Sequence, residues 1–143
     1  MKYKIKTRQF GELEFDEDVV YHFPDGLPGF EELNNFVIIE DNDTKPLKWL
    51  LSIEDPDVGF PILEIILIMP ELCKEIPSLF QVEMDKTKLD FSSSTVFGVI
   101  TLHRDTEPAT INLKAPIIID NAAKLGRQLI LNSDKYSTEH QIK

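Results

Sequence analysis

Three histidines, one cysteine, a serine triplet and a surplus of carboxylates are the groups in this 143-residue chain that could do chemistry. His22, His103 and His140 lie far apart, and none stands in a His-x-x-x-His or His-Glu-x-x-His pattern, so no helical metal pair is offered. Cys73 is the only cysteine, which excludes an internal disulfide and a cysteine-based zinc site. Ser92-Ser93-Ser94 lacks the Gly-x-Ser-x-Gly elbow of a nucleophilic serine and precedes a strand-like run, so it reads as a loop. Asp55-Pro56-Asp57-Val58-Gly59 starts like a calcium loop but has neither the closing glutamate nor flanking helices, and reads as an acidic β-turn. Gly26-Leu27-Pro28-Gly29 lacks the Gly-Lys-Ser/Thr ending of a phosphate cradle. Carboxylate pairs are too common here for any one to mark a hydrolase. These groups offer no strong enzyme constellation, and no cofactor or metal site is expected; a carboxylate-dependent hydrolase, which needs two acids converging in a cleft, is the enzymatic alternative they leave.

The carboxylates themselves are the larger signal. There are 25 Asp and Glu against 15 Lys and Arg, a net charge of −10, and eleven acids with no Lys or Arg fall between Gln9 and Thr44. A chain this acidic repels polyphosphate, so direct nucleic-acid binding is not expected. At 42% hydrophobic and 28% charged residues it should fold, and its length suits one domain over residues 1–143. The opening Met1-Lys2-Tyr3-Lys4-Ile5-Lys6 has no continuous apolar stretch of the signal-peptide kind. Ile62–Met69, interrupted by Glu64, falls far short of the roughly 20 residues that span a bilayer. A cytoplasmic protein with no membrane contact follows as the expectation; the sequon Asn42-Asp43-Thr44 carries little weight beside it.

The elements that would hold these groups are mainly strands. Tyr3, Ile5 and Thr7 alternate with Lys2, Lys4, Lys6 and Arg8; after Gly11, Leu13 and Phe15 alternate with Glu12 and Glu14. This is a hairpin whose basic and acidic outer faces neutralise each other. Further strands are expected at Val19–Phe23, Phe36–Glu40, Leu47–Ile53, Phe60–Met69, Thr95–His103, Thr110–Leu113, Ile117–Asp120 and Arg127–Leu131. In Leu47–Ile53, Trp49, Leu51 and Ile53 share one face. Only Leu79–Leu89 reads as possibly helical, and Val82 with Met84 could equally alternate as a strand there. The predicted fold is mostly β: a small single-domain antiparallel β-barrel-like fold with at most one or two short helices. One alternative such a barrel permits is an apolar-ligand site lined by Trp49, Phe97 and Ile119.

Two segments are more specific. Phe23-Pro24-Asp25-Gly26-Leu27-Pro28-Gly29-Phe30 places two glycines and two prolines in a rigid double turn pinned by Phe23 and Phe30. Thr110-Ile111-Asn112-Leu113-Lys114-Ala115-Pro116 ends on a proline that suits an edge, bulge or strand start. With Trp49–Pro56 between them, and Gly126-x-Gln128 and Tyr136-x-x-x-His140 after them, they resemble the FliW family of flagellar assembly factors. The resemblance runs over nearly the whole chain, and four motifs in order are specific where one would not be. The signature positions Phe23, Gly26, Pro28, Gly29, Phe30, Asn112, Leu113, Pro116, Gly126 and Gln128 are expected to be structural. The chain departs from the family pattern after Phe60, where Ile65-Ile66 stand in place of a proline and an aromatic.

The resemblance implies a non-enzymatic, cytoplasmic β-barrel-like protein, a monomer when free, that binds the RNA-binding translational regulator CsrA and relieves its repression of flagellin translation. It also implies that flagellin binds the same factor and competes for it. Acidity agrees in sign, because an RNA-binding partner must be basic. The acids at turns flanking the signatures, Glu31, Glu32, Asp41, Asp43, Asp55 and Asp57, are the candidate partner-binding charges. The apolar run suggests Ile65 and Ile68 as anchors.

Overall fold

The computed structural model describes residues 2–79, 89–103, 107–131 and 133–142. Its strands are β1 (Lys2–Thr7), β2 (Gly11–Asp16), β3 (Tyr21–His22), β4 (Asn35–Glu40), β5 (Lys48–Ser52), β6 (Gly59–Glu64), β7 (Ser94–Thr101), β8 (Thr110–Ile111), β9 (Ile117–Asp120), β10 (Leu125–Gln128) and β11 (His140–Gln141). Helix α1 covers Pro70–Leu79, and single 3-10 turns lie at Glu17–Val19, Ile65–Leu67 and Phe91–Ser93. Strands run in the order β7-β6-β5-β4-β3-β10-β9, and β9 pairs back onto β7, which closes a seven-stranded barrel. β8 and β11 extend the sheet outward from β7, and the β1–β2 hairpin forms a separate two-stranded sheet. Pairing is antiparallel apart from one parallel contact, Leu125 with His22, between β10 and β3.

Alternation decides what each strand faces. Phe36, Leu50, Ile62, Phe97, Ile117 and Ile119 point inward and, with Phe23, Leu27 and Leu33, fill the barrel. The intervening residues Val37 and Leu51 face Ile5 of the hairpin, with Leu13, Phe15 and Ile53 around them. Leu63, Val96, Ile100 and Ile118 face a third core, closed by Ile65, Leu72 and Ile76 and by Leu131 and Tyr136 from the C-terminal part. Strands buried on both faces explain why β4 and β9 read as continuous apolar runs. On the hairpin, Lys2 pairs with Glu14 at 3.7 Å and Lys4 with Glu12 at 3.0 Å, whereas Arg8 reaches Asp57 at 3.5 Å.

Three expectations change. The strand expected over Phe60–Met69 ends at Glu64, and the rest of the run forms a 3-10 turn leading into α1. The C-terminal strand is Leu125–Gln128 rather than Arg127–Leu131. The helix lies at Pro70–Leu79, upstream of Leu79–Leu89; Val82 and Met84 fall outside the described residues.

Candidate protein-binding surfaces

The β3–β4 connection is built from backbone that leaves no slack. Gly26 has φ +63°, and a Cβ there would stand 2.5 Å from the Phe30 carbonyl oxygen. Gly29, at φ +86°, opens onto empty space. The Phe30 amide donates to the Leu27 carbonyl at 2.7 Å, and the Phe23 amide donates to that of Asn34 at 2.7 Å. Phe23 packs edge-on against Phe36 with centroids 5.0 Å apart, and Phe30 against Phe60 at 5.5 Å. Gly126 of β10 lies directly over the Phe23 ring, and Arg127 pairs with Asp25. Pro28 is exposed at the tip of the turn. The second signature has similar work: Asn112 Oδ1 accepts from the amides of Lys114 and Ala115 at 3.1 and 3.0 Å. Gln128 donates from Nε2 to the Ala115 carbonyl at 2.9 Å, while Leu113 and Pro116 are buried.

The six candidate acids do not form one patch. Register puts Phe36 opposite Ser52 and Leu51 opposite Gly59 at one end of β4–β5–β6, and Glu40 opposite Lys48 and Lys48 opposite Ile62 at the other. Glu31, Glu32, Asp55 and Asp57 flank the first end, Asp41 and Asp43 the second. A strand the length of β4 separates them, about 17 Å at the usual rise per residue. Asp57 alone of the six faces a cation, Arg8, among the described residues. Glu31 accepts from the Gly29 amide at 3.2 Å, and Asp55 and Asp41 accept from the amides of Asp57 and Asp43 in local turns. Glu54, missing from the expected set, ties the first end together by accepting from the Asn34 and Asn35 amides at 3.2 and 3.0 Å.

Beside Asp41 and Asp43 the surface turns apolar. Leu47, which closes the β4–β5 loop, and Ile68 both pack against the third core. Three residues per turn bring positions i and i+3 to one side, so the 3-10 turn directs Ile65 and Ile68 inward and leaves Ile66 and Leu67 outside. Ile65 is fully buried and leaves the set of contact candidates; Ile66 and Leu67 are 57% and 55% exposed and replace it. Sequence reasoning took the run Ile65 to Ile68 as candidate anchors on a strand, where residues alternate in twos, and so could not tell which of them face out. Leu67 and Ile68 form one wall of a groove of about 590 Å³, whose other wall is Ser137, Glu139, His140, Gln141 and Ile142.

The far wall is tied to α1 by Glu75. Its carboxylate accepts from Lys135 Nζ and from the Tyr136 hydroxyl, each at 2.6 Å. Those two bonds hold the Glu75 carboxyl below its ordinary range, and the same carboxylate raises the Lys135 ammonium. Burial, then Glu75, push the Tyr136 phenol up. Asp120 is a second junction: burial acts to raise it, but hydrogen bonds from Ser93 and the Asp90, Ala123 and Ala122 amides outweigh that and keep it low. On Cys73, burial and then Glu64 raise the thiol, which disfavours the reactive thiolate.

The other groups singled out in the sequence lie apart from one another among the described residues. No group of three His, Cys, Asp or Glu among the described residues could hold a metal ion. His22 lies 3.3 Å from Asn35 Oδ1, and His103 lies 3.2 Å from Thr110 Oγ1. Ser92, Ser93 and Ser94 bond to Asp90 and Asp120 as parts of a turn. The proposed apolar-ligand lining does not converge: Phe97 and Ile119 face the barrel interior, while Trp49 is on the hairpin side against Phe10, centroids 5.9 Å apart. No helix among the described residues is long and apolar enough to cross a membrane.

A family model described as FliW protein matches residues 4–142. A flagellar assembly factor FliW of Caldanaerobacter subterraneus subsp. tengcongensis is 37% identical, with 97% of this chain and 92% of that protein covered. One from Thermotoga neapolitana is 38% identical, covering 96% of this chain and 92% of the relative. A crystal structure of the flagellar assembly factor FliW superposes with a TM-score of 0.84 at 31% identity, covering 97% of this chain and 96% of that one.

Proposed function

Because the chain belongs to the FliW family of flagellar assembly factors, we propose that it works as a protein-binding regulator of flagellin synthesis. In this reading it binds a homologue of the RNA-binding regulator CsrA, relieves repression of flagellin translation, and binds flagellin, which competes for it. It acts in the cytoplasm as a free monomer, without catalysis and without touching nucleic acid or membrane. The observation that carries the reading is that one end of β4–β5–β6 has both Asp41 and Asp43, with no ion pair among the described residues, and the exposed Ile66 and Leu67. An RNA-binding protein is basic, so carboxylates steer it inward, and apolar side chains supply the contact energy that rim charges do not. By linkage, a partner that lowers CsrA's affinity for RNA has its own affinity lowered by RNA to the same degree.

The test is a titration of labelled flagellin-leader RNA, bound to CsrA, with this protein. Release of RNA that is reversed by added flagellin and weakened by salt is the expected result. Absence of binding to both CsrA and flagellin in calorimetry overturns the reading.

A further inference from the structure

Helix α1 joins the rest of the molecule by two kinds of contact. Leu72 and Ile76 are fully buried in the third core, and Glu75 reaches across to the C-terminal segment. Its oxygens are divided between neighbours in sequence, Oε1 to Lys135 and Oε2 to Tyr136. Neither element is well supported by its own backbone. Pro77 lies inside α1 and has no N–H, so the Cys73 carbonyl lacks its helical partner. β11 pairs with β8 through only His140 with Ile111 and Gln141 with Thr110, at the outer edge of the sheet. Two flanking bonds complete its attachment, the Leu113 amide to the Ser137 carbonyl at 2.9 Å and the Ile142 amide to that of Ala109 at 3.0 Å.

We propose that α1 and residues 133–142 open from the barrel together, as one cooperative unit latched by Glu75. Tyr136 shares its core with Leu72 and Ile76, so departure of either element strips packing from the other. The carboxylate adds a charge-assisted link between the same two pieces. Short elements held through shared contacts are those that open below the global unfolding free energy. Glu75 is thus a positioning residue, and the unit it latches includes the groove wall opposite Leu67 and Ile68. This inference stands whatever the groove binds.

Native-state amide hydrogen exchange on the full chain tests it. Leu113 and Ile142 report the segment, Ile76 reports the helix, and Val37 and Leu51, paired between β4 and β5, report the barrel. Glu75→Gln should raise exchange at Leu113, Ile142 and Ile76 by one common factor of about tenfold, leaving Val37 and Leu51 unchanged. Tyr136→Phe, which keeps the ring, should give the same pattern with a smaller factor. Different factors for helix and segment, no change in either, or an equal rise in the barrel would each overturn the proposal.

Discussion

The two ends of β4–β5–β6 are held in different ways. At the Phe23–Phe30 turn, Gly26 has no room for a methyl group, Gly126 lies over an aromatic ring, and paired aromatics pin both arms. At the other end, Ile66 and Leu67 stand in solvent, α1 contains a proline, and one half-buried carboxylate joins helix to C-terminal segment. The first end is fixed by steric contact; the second is fixed by a few bonds and a shared core that, on the opening proposed above, give way together. On the proposed function, the apolar part of the binding surface is housed apart from the rigid turn and can vary without loss of the barrel.

Four variants would break or sharpen that contrast. The largest effect is expected from Gly26→Ala, which adds a backbone collision at 2.5 Å to a positive φ and should cost about 3 kcal/mol or more in chemical denaturation. Asp120→Asn comes next, at about 2 kcal/mol, because an amide nitrogen would face one of the N–H donors now satisfied by the carboxylate. The pH dependence has a definite sign. Asp120's folded pKa is lowered, so its contribution is present above the ordinary carboxylate pKa and is lost as pH falls through the folded value. The gap between wild type and Asp120→Asn should accordingly narrow in acid, as followed by thermal melts at several pH values. Gly29→Ala, with the same sign of φ but open space, should cost only about 1 kcal/mol. Should Gly26→Ala and Gly29→Ala cost the same, steric fixity of the turn is refuted. Smallest in stability is the pair Ile66→Ser with Leu67→Ser, within about 0.5 kcal/mol of wild type. Calorimetry should nevertheless show at least about a tenfold loss of affinity for CsrA or flagellin; unchanged affinity for both would remove Ile66 and Leu67 from the proposed binding surface.

Much of the barrel could be read from periodicity. Phe36 and Ile38 against Val37 and Ile39 are the two faces of β4, and Trp49, Leu51 and Ile53 do share the hairpin-facing side of β5. What could not be read is where a period changes. Ile65 to Ile68 continue the apolar run of β6, and only the tertiary demand to bury Ile65 under α1 converts two-residue alternation into a 3-10 turn. The helix was missed for a related reason: Pro70 and Pro77 look like loop punctuation, yet Pro70 is the first helical residue, where no N–H is needed. Burial of Leu72 and Ile76 outweighs the cost of Pro77. With the helix unread, Glu75 had no visible partner. The acids Glu31, Glu32, Asp41 and Asp43 are close in sequence, and only pairing register reveals that β4 carries them to opposite ends.

The contact between Gly126 and Phe23 binds two distant letters of the sequence into one packing unit. With a Cβ at position 126 only 2.3 Å from the ring, any side chain there must displace the aromatic. A smaller residue at 23 would leave a hole unless position 126 fills it. Neither change is tolerable alone, while together they exchange volume across the barrel wall. Selection for soluble revertants of Gly126→Ala should therefore return substitutions at Phe23 before any other position, and revertants scattered elsewhere would show that the wall can yield. Single substitutions can pass from one solution to the other only through an intermediate with a collision or a hole in the barrel wall.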